Sequence, residues 1–302
     1  MAEITNERKA LDSIAYEELI RKERKANNAW NKLRRNKTAM AGLFIAVLLL
    51  FMAIFAPLIT SFDPYKIDVA HSYSVPGVDG HLFGTDEYGR DLYTRIVYGA
   101  RVSIIVAVGS TFVGGFIGLV LGLIAGFFGG WIDALIMRFI DGMSAFPYIL
   151  LSMLLMTVMG QGLINVTVAI GVCSIPGYAR IARGQVHVIK NKEFCDAIRV
   201  LGADTPRMII HHILPNIISP VIVYSTLHVA SAITFEATLS FLGLGISAPT
   251  SSWGTILSGG RTCIRNAPHI AYISGIFILV TVVGFNLLGD GLRDVLDPKM
   301  KK

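Results

Sequence analysis

Apolar residues fall into long runs separated by shorter polar stretches, and that pattern predicts most of the architecture. Runs of roughly 17 to 25 uncharged residues can cross a hydrocarbon core at about 1.5 Å per residue. Six such runs occur, at 39–60, 102–128, 142–159, 163–179, 217–235 and 270–288. The second is long enough to tilt or to project beyond the bilayer, and the third follows an amphipathic lead-in from Trp131. The expectation is an all-α integral membrane protein with six transmembrane helices.

The polar stretches complete the division. A tail at 1–38 carries Leu11, Ile14, Ala15, Leu19 and Ile20 at spacings that predict a short amphipathic helix near the membrane surface. The run at 39–60 follows a charged tail and precedes no small-residue cleavage site, so it reads as a retained span and not a signal peptide. A loop at 61–101 comes next, then a transmembrane domain at 102–289 interrupted by a polar loop at 180–216, then a tail at 290–302.

Composition agrees with this, with 53% hydrophobic and only 16% charged residues. If the amino terminus is cytosolic, 21 of the 27 Lys and Arg residues lie inside and 6 outside. That bias predicts cytosolic termini at both ends. The net charge of +6 is then a consequence of topology and gives no reason to invoke nucleic acid. Cys173, Cys195 and Cys263 imply no disulfide framework.

Three features within this frame carry candidate chemistry or packing. Gly114, Gly118, Gly122 and Gly126 recur every fourth residue, a smooth face that lets a neighbouring helix approach closely in lipid. In the external loop, His81 to Arg95 reads as an exposed helix capped by Thr85 or Asp86. Asp86 with Arg90, and Asp91 with Arg95, then form i, i+4 pairs, and the helix either solvates the outer surface or docks an external partner. Among ionisable groups in or near spans, Arg138 and Asp141 are spaced to neutralise each other, while His228 and Glu236 share roughly one helix face. A proton relay, or a hydrogen-bonded histidine with a snorkelling glutamate, would fit the last pair.

The polar segment 193–216 has the most structure in its sequence. Periodicity places 191–201 on a helix with Phe194, Ile198 and Leu201 on one face. Gly202 suits the left-handed residue that ends it, Thr205 and Pro206 suit the cap and first position of a second helix, and Pro215 stops that helix near Leu214. Such a bent pair either folds back on its own bundle or is gripped by another protein.

The order Asp196-Ala197, Gly202, Leu214-Pro215 resembles the "EAA" loop of type I ABC importer permeases, with Asp196 in place of Glu, Ile198 in place of the second Ala and His212 in place of Ile. Segments 31–57, FGTDEYGRD at 83–91, YGARVS at 98–103, EATLSFLGLG at 236–245 with Pro249 and SWG at 252–254, and GDGLRDVLDPK at 289–299 are similar to dipeptide and oligopeptide importer permeases. The resemblance covers nearly all of the chain after residue 30.

It implies a pore subunit of the bacterial or archaeal plasma membrane that pairs with a second, similar permease. It also implies an extracytoplasmic peptide-binding protein and two cytosolic ATPases that bind ATP and Mg and grip the coupling loops. Glu193, Asp196, Ala197, Gly202, Pro206, Leu214 and Pro215 would be the coupling residues. No G-x-x-x-x-G-K-[ST] loop is present, so no ATP site or other cofactor is expected in this chain, and HExxH, GxSxG and metal-ligand clusters are absent from the sequence. Related permeases carry peptides, nickel chelates or glutathione. The alternative reading is an ion-coupled secondary transporter using His228 and Glu236.

Overall fold

The computed structural model describes residues 29–296. The surface helix expected at Leu11 to Ile20 and the end of the GDGLRDVLDPK string lie outside the described residues. Within them the fold is helical, and β structure is limited to two isolated bridges, Val78 with His81 and Thr85 with Asp91. A short helix α1 (Ala29–Arg35) leads into α2 (Lys37–Ile59). Asn36 separates them because its side-chain oxygen accepts from the amides of Thr38 and Ala39, the usual chemistry of an N-cap. The other long helices are α3 (Leu92–Phe128), α6 (Leu163–Lys190), α8 (Leu214–Phe241) and α10 (Pro268–Leu296).

The expected third span is not one helix. It is a pair, α4 (Gly130–Ser144) and α5 (Tyr148–Met159), bent by 87°. The cause is legible locally. Pro147 has no amide to donate and disfavours helical geometry at Phe146, so the chain must leave the helix there. Five long apolar helices and this broken pair make up the membrane-spanning bundle.

For reference, the end of the bundle bearing residues 60–91 is called upper and the opposite end lower. α3 begins ten residues before the apolar run and is about 55 Å long, so it stands above the bilayer as a post. Loop 61–91 and helix α9 (Trp253–Thr262) wrap this post, with the Trp253 indole donating to the Ile96 carbonyl at 2.9 Å.

The bundle is held by close backbone approaches. A Cβ on Gly118 would sit 2.5 Å from the Cβ of Tyr178, one on Gly122 2.5 Å from the Ala179 carbonyl oxygen, and one on Gly126 2.7 Å from the Cβ of Val186. Gly114 lies against Ser174 and Gly171 in the same manner. The four glycines therefore form the groove into which α6 fits, and this is the most extensive helix pairing in the chain. On the opposite side, Gly42 of α2 meets the backbone of Gly284 and Leu288 in α10.

Candidate functional site

The lower end carries the polar segment. α6 runs past the expected boundary at residue 179 because Ala182, Val186 and Ile189 continue its buried face. Its two arginines reach across to the broken pair. Arg183 makes a bidentate bond to Asp133 at 2.5 and 2.6 Å, and Arg180 pairs with Asp141 at 3.0 Å. Asp141 is therefore partnered by Arg180, and not by Arg138 as its spacing suggested: the two helices present their charges to each other, whereas Arg138 points outward. Lys190 donates to the carbonyls of Gly126 and Phe127 at 2.9 and 3.1 Å, placing a cation on the carbonyl end of α3.

Helix α7 (Glu193–Val200) then lies against the bundle. Cys195 is buried, its Sγ 3.3 Å from the Ile189 carbonyl, and it joins Met208, Ile213, Ile217, Val186 and Leu123 in one apolar cluster. Burial pushes the Cys195 thiol up, so it stays protonated. The inward face is thus Cys195 with Ile198. Leu201, expected on the same face as Ile198, is 85% exposed, and Val200 is 88% exposed. The reason is that α7 ends at Val200, so Leu201 belongs to the turn and no longer follows the helical period.

The turn is a Schellman motif. The amide of Ala203 donates to the Ile198 carbonyl at 3.3 Å, that of Gly202 donates to Arg199 at 3.0 Å, and Gly202 has φ +82°. The next helical turn is capped by Asp204, which accepts from the Arg207 amide at 3.3 Å, so Thr205 is its first residue and not its cap.

Pro215 does not stop this second helix. Residues Met208–Ile213 form a π-helical segment that runs directly into α8. The wider π turn removes the demand for a donor at Pro215, which sits in the first turn of α8, where the missing amide costs little. The two-helix hairpin expected at 193–216 is therefore a short arm, α7, bent at Gly202 onto a continuous rod from Thr205 to Phe241. Glu193, Asp196 and Ala197 lie on the arm, Gly202 at the bend, Pro206, Leu214 and Pro215 on the rod. Asp196 is exposed and pairs with Arg199 at 3.0 Å. A groove of about 700 Å³ runs beside the bend, lined by Gly202, Asp204, Pro206, Arg207, Ile210 and His211.

At the upper end, 81–91 is not the exposed helix expected. The segment is a folded turn, and Asp86, Arg90 and Arg95 are buried. Asp86 accepts from the amides of Tyr88 and Arg90, bonds Arg90 Nε at 2.7 Å and pairs with Arg95 Nε at 3.2 Å. Asp91 caps α3 through the Thr94 amide and binds His81 at 2.8 Å, so it has no pairing with Arg95. The i, i+4 count was misleading because Gly89, at φ +73° against the Asp68 backbone, turns the chain before a helix can form.

In the bundle interior, His228 bonds Thr111 at 2.9 Å and sits edge-on to Tyr178. Glu236 is fully buried and accepts from the Ser240 hydroxyl at 2.8 Å; it does not snorkel. Eight residues, about 12 Å of rise, separate the two, and each has its own local partner. No hydrogen-bonded relay joins them, and the ion-coupled reading has no support.

A multi-span helical bundle with a broken span and a bent arm joined to one of its rods defines a class: the transmembrane subunit of a transporter. The sequence model of the binding-protein-dependent transport system inner membrane component matches residues 118–302, and that of the N-terminal TM domain of oligopeptide transport permease C matches residues 26–76. The chain belongs to the family of binding-protein-dependent transport system inner membrane components, and it is a multi-pass ABC transporter permease. The dipeptide transport system permease protein DppC of Alkalihalophilus pseudofirmus is 44% identical over 273 residues, 90% of each chain. The glutathione transport system permease protein GsiD of Escherichia coli is 41% identical over the same share. In fold, the chain resembles a chain of the inward-facing MetNI methionine ABC transporter, with a TM-score of 0.55 and 19% identity over 68% of this chain and 96% of that one.

The sequence had signals for some of what it did not reveal. Phe146-Pro147 marks the break in the third span, and Arg180 and Arg183 mark an α6 face that needs acidic partners. The exposure of Val200 and Leu201 had no signal, because it depends on which side of α7 the bundle occupies.

Proposed function

We propose that this chain is the pore subunit of an ATP-driven importer of short peptides, paired with a second permease and driven by two separate ATPase subunits that bind ATP and Mg. In this reading the lower end is cytosolic, as the Lys and Arg distribution favours, and the upper end receives a peptide-binding protein. Short peptides are favoured because dipeptide and glutathione permeases are both similar over 90% of this chain.

The observation that carries the coupling role is the exposed apolar tip, Val200 and Leu201, held beside the Gly202 bend. Burying such a side chain on a partner is worth about 1.5–3 kcal/mol each, so the tip is an economical anchor for an ATPase. Because the rod beyond the bend is continuous, a displacement of the arm is carried into α8 without a flexible joint. Asp196 and Glu193 then offer carboxylates to basic groups of the ATPase.

Affinity purification of the chain from membranes tests this. Two ATPases, a second permease and a binding protein should co-purify, and short peptides should stimulate ATP hydrolysis in liposomes. Recovery without any ATPase would defeat the proposal.

A further inference from the structure

The broken span raises a solvation problem whose solution locates a part of the transport path. Ile140 of α4 shares a buried cluster with Ile175 and Ala179, near the middle of α6, and Met143 packs there with Val172. Beyond the break, the Tyr148 hydroxyl donates to the Ile170 carbonyl at 2.7 Å, and its ring stacks on Phe235 at 4.0 Å. Both flanks are thus tied to the interior of spanning helices, so the break lies at membrane depth. α5, with 12 residues, rises only about 18 Å and cannot cross a core of about 30 Å alone.

Backbone at that depth must have partners. The first turn of α5 is preceded by Pro147, which supplies no side-chain cap, and the first amides of any helix lack intrahelical acceptors. In hydrocarbon such groups cost several kcal/mol each, so irregular backbone there survives only inside protein or against water. This chain does not bury it: Gly142, Ser144, Ala145, Phe146 and Pro147 are exposed, and nothing stands within 4 Å of a Cβ built on Gly142. The Asp141–Arg180 pair on α4, just before the break, has side chains 62% and 48% exposed, and an ion pair so exposed requires a high dielectric. The outer face of α2, with Phe44, Leu48, Phe51, Phe55 and Leu58, is apolar throughout and suits lipid.

We propose that residues 142–147, the break between α4 and α5, line the water-filled path through which substrate crosses. This rests on the transporter assignment above. Water solvates the open backbone and the ion pair, and the same open polar wall offers amides and carbonyls to the polar backbone of a passing peptide.

Ser144→Cys and Ala145→Cys, each added singly to a chain whose native cysteines are all buried, should report this in the reconstituted complex. A water-soluble cationic methanethiosulfonate should label both at least tenfold faster than Leu48→Cys on α2, with the wild-type complex as baseline. Gly142→Trp should cut peptide uptake at least tenfold while ATPases still co-purify. Labelling at both positions no faster than at Leu48→Cys, in complexes that still take up peptide, would overturn the proposal, as would full uptake by Gly142→Trp. Failure of the underlying assignment looks different: the wild-type complex would then show no ATP-dependent uptake at all.

Discussion

Gly202 offers a graded perturbation of the arm. Its φ of +82° lies in the left-handed region, and a Cβ built there meets nothing within 4 Å, so substitution carries a backbone cost without a steric one. For an L-residue that cost is roughly 1–2 kcal/mol, equivalent to a loss of about 5- to 30-fold in the population of the bent conformer relative to its competitors. Asparagine tolerates the left-handed region better than alanine and should lose less. Proline fixes φ near −65° and also removes the amide that donates to Arg199 at 3.0 Å, so it should lose most. The assay is the number of peptides imported per ATP hydrolysed in proteoliposomes, which separates coupling from expression. The expected order is Gly, Asn, Ala, Pro, with amounts of inserted protein unchanged. Equal coupling ratios across the series would refute the view that the bend transmits the stroke.

Further outcomes follow from the same geometry. Val200→Ser with Leu201→Ser should leave the thermal midpoint of the isolated chain unchanged, because both side chains are exposed, yet weaken ATPase binding by at least tenfold in a titration of detergent-solubilised complex. Asp86→Ala should destabilise the upper cap by about 3–5 kcal/mol, since it leaves Arg90 and Arg95 buried without their carboxylate; a thermal melt or limited proteolysis of the 61–91 loop reads it. Gly118→Ala should force α3 and α6 apart at a cost of about 1–3 kcal/mol, visible as a lowered melting temperature. In the upper loop, the Asp68 carboxylate hydrogen-bonded to His71 raises the imidazole pKa and lowers its own. The contribution of the pair is therefore present between the two folded-state values, lost as pH rises through that of His71 and lost as pH falls through that of Asp68. Histidine NMR of Asp68→Asn should show His71 returning toward its ordinary value.

The spans were legible because each is a run of apolar residues with a length set by the bilayer, and the glycine stripe because only glycine permits backbone contact at every fourth position. Gly202 was legible for the same local reason: a left-handed residue at a helix end is chosen by its own sterics. What failed was inference across a gap. Asp86, Arg90, Asp91 and Arg95 have helical spacing, but the pairs they form are set by a chain reversal at Gly89 and by loop residues 64 and 81. Pro215 reads as a stop, yet the π segment before it absorbs the missing donor, and the rod continues to Phe241. Asp141 has Arg138 three residues away, but Arg180, distant in sequence, is its partner. Local sterics can be read from neighbours along the chain, whereas these pairings depend on which helices become neighbours in space.

The central claim is that a separate ATPase drives this permease through the arm at 193–216. Reconstituted with two ATPases, a second permease and a binding protein, the chain should import a short peptide when ATP is present on the arm side and the proton gradient is collapsed. Replacing Val200 and Leu201 by aspartate should abolish that import. Uptake that continues without ATP, follows the proton gradient and ignores those two substitutions would contradict the account.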